Sequence, residues 1–356
     1  MNNNSFLKNY KNLKVLITGS TGFKGAWLSF WLSKLGAKVV GLGLQPEKNF
    51  VLFDELKLKK KIFQYICNIE NYKKLNEIVK KEKPDIIFHL AAQSIVSESY
   101  LNPMNTIRTN IIGSANILEV VKNNNINTLV YITSDKCYLN TGSKKSFRES
   151  DVLGGLDNYS ASKASAEILF HSYLHSYFRN NQKISAGTAR AGNVIGGGDF
   201  KNNRVVPDFF RAISKNKAII LRNPKSTRPW QHVLEPLSGY LKLGSLLLNK
   251  KINHNINPSW NFGPHKINCK PVIEVVSMFY NFLSVKEKIR ILENKKLPEA
   301  NFLSLNIEKA KKELDWSPRL NLKQCVKFTA EWYRNFYLKK KLENFTHEQI
   351  DSFTEY

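Results

Sequence analysis

From Leu13 to Ser134 short apolar runs alternate with stretches of helical periodicity, and few folds accept such a chain. The runs Leu13–Gly19, Ala37–Leu44, Ile86–Ala92 and Thr128–Ser134 are rich in Val, Ile and Leu and barely interrupted, the pattern of strands buried on both faces. Between them lies "GAWLSFWLSKLG", with Trp27, Leu28, Trp31, Leu32 and Leu35 on one helical face and Gly36 as its stop. Then come "NYKKLNEIVKKEKPD", closed near Pro84, and "NTIRTNIIGSANILEVVKNNN". Strand, helix, strand in this order builds an α/β fold with a doubly wound parallel sheet, because each parallel pair needs a crossover to bring the chain back. A further helix is predicted from about Tyr159 to Phe178, and "KISAGTARAGNVIG" supplies another strand.

After Gly196 the periodicity weakens. Glycines, prolines and polar–aromatic clusters run to about Trp260, followed by helical stretches around Val272–Leu283 and Leu322–Leu338. This predicts one unit over residues 1–195, with return segments around 229–262, and a smaller, partly interleaved C-terminal lobe over most of 196–356. An apolar fraction of 42% fills a sizeable core and argues against disorder. No apolar run approaches the ~18 residues of a membrane span, and "MNNNSFLKNYKNLK" lacks the apolar stretch of a secretory signal. The expectation is a cytoplasmic protein with reduced thiols, since Cys67, Cys137, Cys269 and Cys325 form no C-x-x-C pair. The net charge of +25 is spread along the chain without a basic stripe interleaved with aromatics. It reads as a solvated lysine-rich surface that attracts anionic metabolites, not as a nucleic-acid interface.

"TGSTGFKG" places Gly19, Gly22 and Gly25 between the first strand and the first helix. Glycine permits the tight turn and lets backbone N–H groups approach a diphosphate at the helix N-terminus. The first unit is therefore expected to bind a dinucleotide. At the end of the second strand Gln45 stands where an acid would hold the adenosine ribose, with Glu47 and Lys48 just beyond. Glutamine can bond a ribose hydroxyl and lacks the charge that repels a 2′-phosphate, so NAD and NADP both stay open.

In such a sheet ligands bind beyond the carboxyl ends of the strands, which is where Ser134, Asp135 and Lys136 fall. "YSASK" adds Tyr159 and Lys163, a Y-x-x-x-K pair that shares one helical face. A nearby ammonium lowers a phenol from its usual ~10, making it a usable base. The same spacing at Tyr10/Lys14 and Tyr337/Lys341 reads as plain surface. Only Tyr159 opens a helix beyond the fourth strand. Together with "HLAAQ" (His89–Gln93), Asn110 and "TSDKCY", these features resemble the extended short-chain dehydrogenase/reductase family, with its Rossmann-like fold. Within that family they are similar to the CDP-glucose 4,6-dehydratases. The likeness is carried further by "TGFKGAWLSFWLSKLGA", "LGGLDNYSASKASAE", "ARAGNVIGGGDF" and "RNPKSTRPWQHVLEPLSGYL", and it reaches "LSLNIEKAKKELDWSPRL".

The resemblance implies a hydro-lyase that makes deoxysugar precursors of surface polysaccharide. Sugar carbon 4 is oxidised, water is lost across carbons 5 and 6, and hydride returns to carbon 6. It assigns Tyr159 as base for the carbon 4 hydroxyl, Lys163 as its partner and a ribose contact, and Ser134 as a hydrogen-bonding neighbour. Asp135 becomes the acid for the departing carbon 6 hydroxyl, and Lys136 stands where many related dehydratases carry the glutamate that takes the carbon 5 proton. A free lysine is protonated at neutral pH, so Lys136 would need partial burial beside Lys163. Asp135 must conversely hold a proton.

The resemblance further implies NAD contacts from Gly19, Thr21, Gly22, Phe23, Lys24, Gly25, Gln45, Asn68, Ile69, Leu90, Ala91, Ala92, Gln93, Asn110 and Thr133, besides Tyr159 and Lys163. The nucleotide sugar, CDP-glucose foremost, would meet Gln93, Ser134, Asn193, Arg204, Arg222, Arg228, Trp230 and His232, with Glu235 shaping the pocket. Arginine suits the diphosphate because its planar fork donates two parallel bonds. Gln45, Asn68 and Ser20 depart from the usual cofactor contacts and bear on NAD affinity more than on the reaction. His171 and His175 share a helical face without a third ligand, so no metal is expected, and His89 reads as a satisfied core histidine. Other nucleotide hexoses or heptoses, and an epimerase or reductase of the same fold, are the alternatives. Those last two reactions need Tyr159 and Lys163 but no acid–base pair for loss of water, so Asp135 and Lys136 favour dehydration. Relatives pair through two long helices, about Asn105–Val121 and Tyr159–Phe178 here, which implies a homodimer or homotetramer.

Overall fold

A computed structural model describes residues 4–46, 51–142, 145–181, 183–252, 257–292 and 302–356; Glu47 and Lys48 lie outside them. Its centre is a sheet of seven parallel strands: β1 (Lys14–Thr18), β2 (Lys38–Gly43), β3 (Phe63–Ile66), β4 (Ile86–His89), β5 (Thr128–Ile132), β6 (Ser185–Ala191) and β7 (Ser259–Phe262). Their order across the sheet is β7-β6-β5-β4-β1-β2-β3. The order reverses between β1 and β4, the crevice where such sheets hold ligands.

Strand side chains alternate between the two faces, and each face meets its own core. Val15 and Ile17 of β1, Ile86 and Phe88 of β4, and Val130 and Ile132 of β5 join one cluster with α1 (Phe23–Lys34) and α5 (Leu234–Leu248). Leu16, Ile87, Leu129 and Tyr131 point the other way. They pack with α2 (Tyr72–Glu82), α3 (Ser114–Asn123) and α4 (Asn158–Tyr173). The long third helix is interrupted: Pro103–Ile107 leads into a π turn over Arg108–Gly113 before α3. A second π turn, Leu174–Phe178, carries on from α4.

Helix α1 departs from its expected single apolar face. Ser29 and Phe30 are buried along with Trp27 and Trp31, because a final helix, Leu342–Glu355, covers its outer side. Phe30 lies against His347 with ring centroids 4.3 Å apart, and Trp31 meets Phe353 edge-on at 5.9 Å. The weakly periodic region after Gly196 is also more ordered than its sequence suggests. Helix α5 packs on β5 and β6, and its glycines serve close packing: a Cβ on Gly239 would sit 2.2 Å from the Phe262 ring. Three two-stranded pairs build the lobe beside the sheet. Val194–Ile195 pairs with Gln231–His232, Thr227–Pro229 with Cys269–Pro271, and Ile219–Leu221 with Ile289–Ile291. Helices Val205–Ser214, Val272–Leu283 and Leu322–Tyr337 complete it.

Candidate active site

The carboxyl ends of the strands open into a cleft of about 600 Å³ shared with the lobe. At one end lies the glycine turn. Gly19 has φ +73°, and a Cβ there would meet the Ala91 nitrogen at 2.8 Å. A Cβ on Gly25 would fall 2.0 Å from the Gly19 carbonyl oxygen. Gly22 N–H closes the turn on Gly19 O at 3.0 Å and caps α1. The turn is a cradle that side chains would fill, open at a helix N-terminus, and so fits a diphosphate. Thr21 Oγ1 donates to Leu44 O at 3.0 Å, tying the turn to the end of β2. Exposed Gln45 lines the cleft there with Asn68 and Ile69. Asn68 Oδ1 accepts from Glu70 N–H at 3.0 Å, which leaves the side-chain amide NH2 to donate. Leu90, Ala91 and Ala92 form the wall after β4. Phe23, 7% exposed, and Thr133 line the same space.

Beyond the cradle, Ser134 caps a single 3₁₀ turn, Asp135–Cys137, accepting from Lys136 N–H at 3.3 Å. Its hydroxyl donates to Asp135 Oδ1 at 3.0 Å. Asp135 Oδ2 is buried without a hydrogen-bond partner. Burial raises this carboxyl, against the pull of Lys136, Ser134, Lys24 and Arg228, and so favours its protonated form. Lys136 is half-buried and lines the cleft. Tyr159 and Lys163 enter from the first turns of α4, which Asp157 caps through Ser160 N–H at 2.9 Å. Burial moves Lys163 down to about 8, against the pull of Glu167.

The tyrosine departs from expectation. Burial pushes its phenol up to about 12, while the Ser134 hydroxyl and the Arg204 guanidinium pull it back and Asp135 opposes them. Desolvation outweighs any neighbouring charge here, and the groups that offset it are Ser134 and Arg204 rather than Lys163. Lys24, half-buried on the glycine turn, feels Asp135, Arg204 and Lys163, and burial brings it to about 8. It therefore faces the reacting end of the cleft as well as the cradle.

The lobe supplies the remaining wall. Arg204 donates to Asp199 Oδ2 and to Ser94 Oγ, both at 2.8 Å. Arg222 donates to Asn203 Oδ1 at 3.2 Å. Arg228 is 5% exposed and acts on Asp135 electrostatically. Trp230 is anchored by its indole N–H on Lys270 O at 2.8 Å, and Asn193 lies between β6 and the first lobe strand. All five side chains line the cleft.

A family model described as GDP-mannose 4,6 dehydratase matches residues 16–329. The chain belongs to the GDP-mannose 4,6-dehydratase family. It is 39% identical over 331 residues to a CDP-glucose 4,6-dehydratase of Salmonella typhimurium, covering 91% of both chains. Two solved structures share the fold of this dehydratase-family chain. One is an epimerase from Methanothermobacter thermautotrophicus, with TM-score 0.82, 24% identity, and 94% of this chain against 96% of that one. The other is a dTDP-glucose 4,6-dehydratase from Bacillus anthracis in complex with NAD, with TM-score 0.77, 23% identity, and 92% against 99%.

Within this dehydratase-family cleft several expected residues are missing. His232 is fully buried behind the wall, edge-on to Trp27 and Phe328 with ring centroids 6.0 and 5.5 Å away, and burial lowers it to about 3. Pairing switches at Trp230, from Cys269–Pro271 to Val194–Ile195, and carries His232 inward. Glu235 is likewise buried, accepting from Arg319 and Leu320 N–H. Gln93 spends its side chain on Ile95 and Thr106. Asn110 spends its own on Gln93 and Ser162, so both brace the loop after β4 without lining the cleft. Ser20 donates to Gln64 Oε1 at 2.8 Å and also lies outside the cleft. Sequence reasoning missed Gly192 and Asp199: both line the cleft, Asp199 five residues before Arg204, and Gly192 beside Asp135 only in three dimensions. His89 is satisfied by Thr18 Oγ1 at 2.8 Å and Ser114 Oγ at 3.1 Å. Among the described residues no group of three His, Cys, Asp or Glu side chains is placed to hold a metal, and no helix is long and apolar enough to cross a membrane.

Proposed function

We propose that the protein is a cytoplasmic, NAD-dependent CDP-glucose 4,6-dehydratase that makes CDP-4-keto-6-deoxyglucose for deoxysugar synthesis. The observation that carries this reading is the 39% identity to the Salmonella enzyme along 91% of both chains, combined with Asp135 and Lys136 in one cleft with Tyr159 and Lys163. NAD, held by the glycine turn, Gln45, Asn68 and Lys163, supplies a hydride acceptor at carbon 4 and a hydride donor at carbon 6.

The chain's own groups manage the protons. Tyr159 takes the proton of the carbon 4 hydroxyl once its own phenol proton has left, a loss that burial opposes and that the Ser134 hydroxyl and Arg204 favour. The ketone at carbon 4 acidifies the carbon 5 C–H bond. Lys136 accepts that proton, Asp135 gives its own to the departing carbon 6 hydroxyl, which leaves as water, and Lys136 returns a proton to carbon 5 as hydride is added at carbon 6. Arg204, Arg222 and Arg228 hold the diphosphate. An epimerase needs no such acid in its cleft, which is why dehydration is favoured over the epimerases of similar fold.

The test is to incubate purified protein with CDP-glucose, catalytic NAD and, in parallel, GDP- and dTDP-linked hexoses. The reading predicts a 4-keto product lighter by one water without net NADH. A product that keeps its carbon 6 hydroxyl and differs only at carbon 4 would overturn it. We also propose that residues 1–195, with 229–262, hold the cofactor, that the lobe holds the sugar nucleotide, and that the chain pairs through the helices over 103–123 and α4. That helix pair leaves Met104, Ile112 and Ile168 exposed by 56%, 52% and 57%, apolar surface that a second copy would cover. Light scattering that finds a monomer would refute the pairing.

A further inference from the structure

Behind the cleft lies an ion pair removed from water: Glu167 on α4 is 0% exposed and Arg190 on β6 is 1% exposed. The guanidinium grips the carboxylate as a fork, Nε to Oε1 and Nη2 to Oε2, both at 2.9 Å. Although burial alone would raise the Glu167 carboxyl, Arg190 holds it below its ordinary value, so the pair is ionised. Such a pair is a poor way to gain stability, since two apolar residues of similar size do as well or better. Its contacts point to another use. The same carboxylate accepts from the Thr133 hydroxyl, and from Thr188 Oγ1 at 3.1 Å. Arg190 Nη1 donates to Tyr138 Oη at 2.9 Å and to Glu149 O at 3.3 Å. Tyr138 in turn donates to Asn261 Oδ1 on β7 at 2.7 Å.

Thr133 directly precedes Ser134, and Tyr138 directly follows Cys137. The pair thus holds both ends of the segment that bears Ser134, Asp135 and Lys136. Glu167 also lies one helical turn beyond Lys163 and two beyond Tyr159.

We propose that Glu167 and Arg190 are positioning residues that fix the acid and base of the elimination, on the Ser134–Lys136 segment, against the tyrosine and lysine of the oxidation, on α4. The inference rests on the dehydratase reading above. One rigid link lets both half-reactions address a single sugar ring without moving the substrate. Loosening it leaves oxidation running and lets loss of water fall behind.

The test uses two full-length variants with NAD and CDP-glucose. Glu167→Leu combined with Arg190→Met removes both charges together, so the fold is kept while the link is lost. Tyr138→Phe removes only one hydroxyl at the far end of the segment. Both are expected to keep KM within about threefold and to lose kcat, the double variant by about a hundredfold, as displacements near 1 Å do. Reduced cofactor should accumulate during turnover, a signal that general loss of stability would not produce. Parent kcat with no build-up of reduced cofactor, in the double variant or, if that one fails to fold, in Tyr138→Phe, would overturn the proposal. Equal loss of oxidation and elimination would do the same. A parent enzyme that releases no 4-keto product from CDP-glucose would instead defeat the dehydratase reading.

Discussion

Gly192 faces Asp135 so closely that a Cβ at 192 would lie 2.5 Å from the Asp135 Oδ2 atom. That oxygen has no hydrogen-bond partner within the protein. The missing side chain at 192 therefore leaves room for a protonatable oxygen just behind the cleft lining.

Gly192→Ala should turn the Asp135 carboxyl aside. The neighbour that must give is the end of a side chain, so folding loses only about 1 kcal/mol, the low end of overpacking costs. Turnover falls by about tenfold or more, because the proposed acid leaves its place. Thermal melts alongside steady-state rates check this, and an alanine variant with parent turnover would refute it.

Lys136→Ala should abolish exchange at carbon 5. In deuterated water the parent incorporates label there, whereas the variant shows none and turns over about a hundredfold or more slowly. Exchange at the parent rate would assign the proton to another base.

Arg222→Ala should raise KM by about tenfold and leave kcat near the parent value. A bidentate charge-assisted contact with a diphosphate counts equally in ground and transition states. A fall in kcat alone would mean that Arg222 acts on the reacting ring.

Lys163→Met should abolish activity yet stabilise the fold at neutral pH. Burial brings Lys163 to about 8 in the folded protein against 10.5 for the free side chain. Between those values the unfolded chain holds the extra proton, so the parent gains stability as pH rises from about 8 to 10.5. Below that window the cost is fully present, and the methionine removes up to about 3 kcal/mol of it. Urea unfolding at pH 7 and pH 10 should show the advantage of the variant shrinking with pH. A gap that grows instead would mean the ammonium is stabilised in the fold.

The parallel sheet and the site motifs lying next to one another in the chain were legible from sequence. Buried strands such as β1 and β5 are unbroken apolar runs, and Tyr159 and Lys163 are linked by helical spacing. Edge strand β3 has an exposed Phe63 and only four residues, so it carries no such signature. Helix α5 holds Pro236, Gly239 and Gly244, whose local preferences argue against a helix that tertiary packing makes stable. Strand β7, Ser259–Phe262, has no β-branched residue. Gly192 beside Asp135 is a product of folding, invisible to any spacing rule. The resemblance implied His232 as a pocket residue, yet the chain changes strand partner at Trp230 and carries it inward.

The bond from Tyr138 to Asn261 spans 123 positions of chain. The reacting segment is therefore braced by the last strand to join the sheet. Synthesis through Lys163 delivers every proposed acid and base, but not the strut that steadies them. Competence for the reaction is accordingly a late product of assembly, and an amino-terminal fragment ending before β7 would carry the chemistry without its alignment.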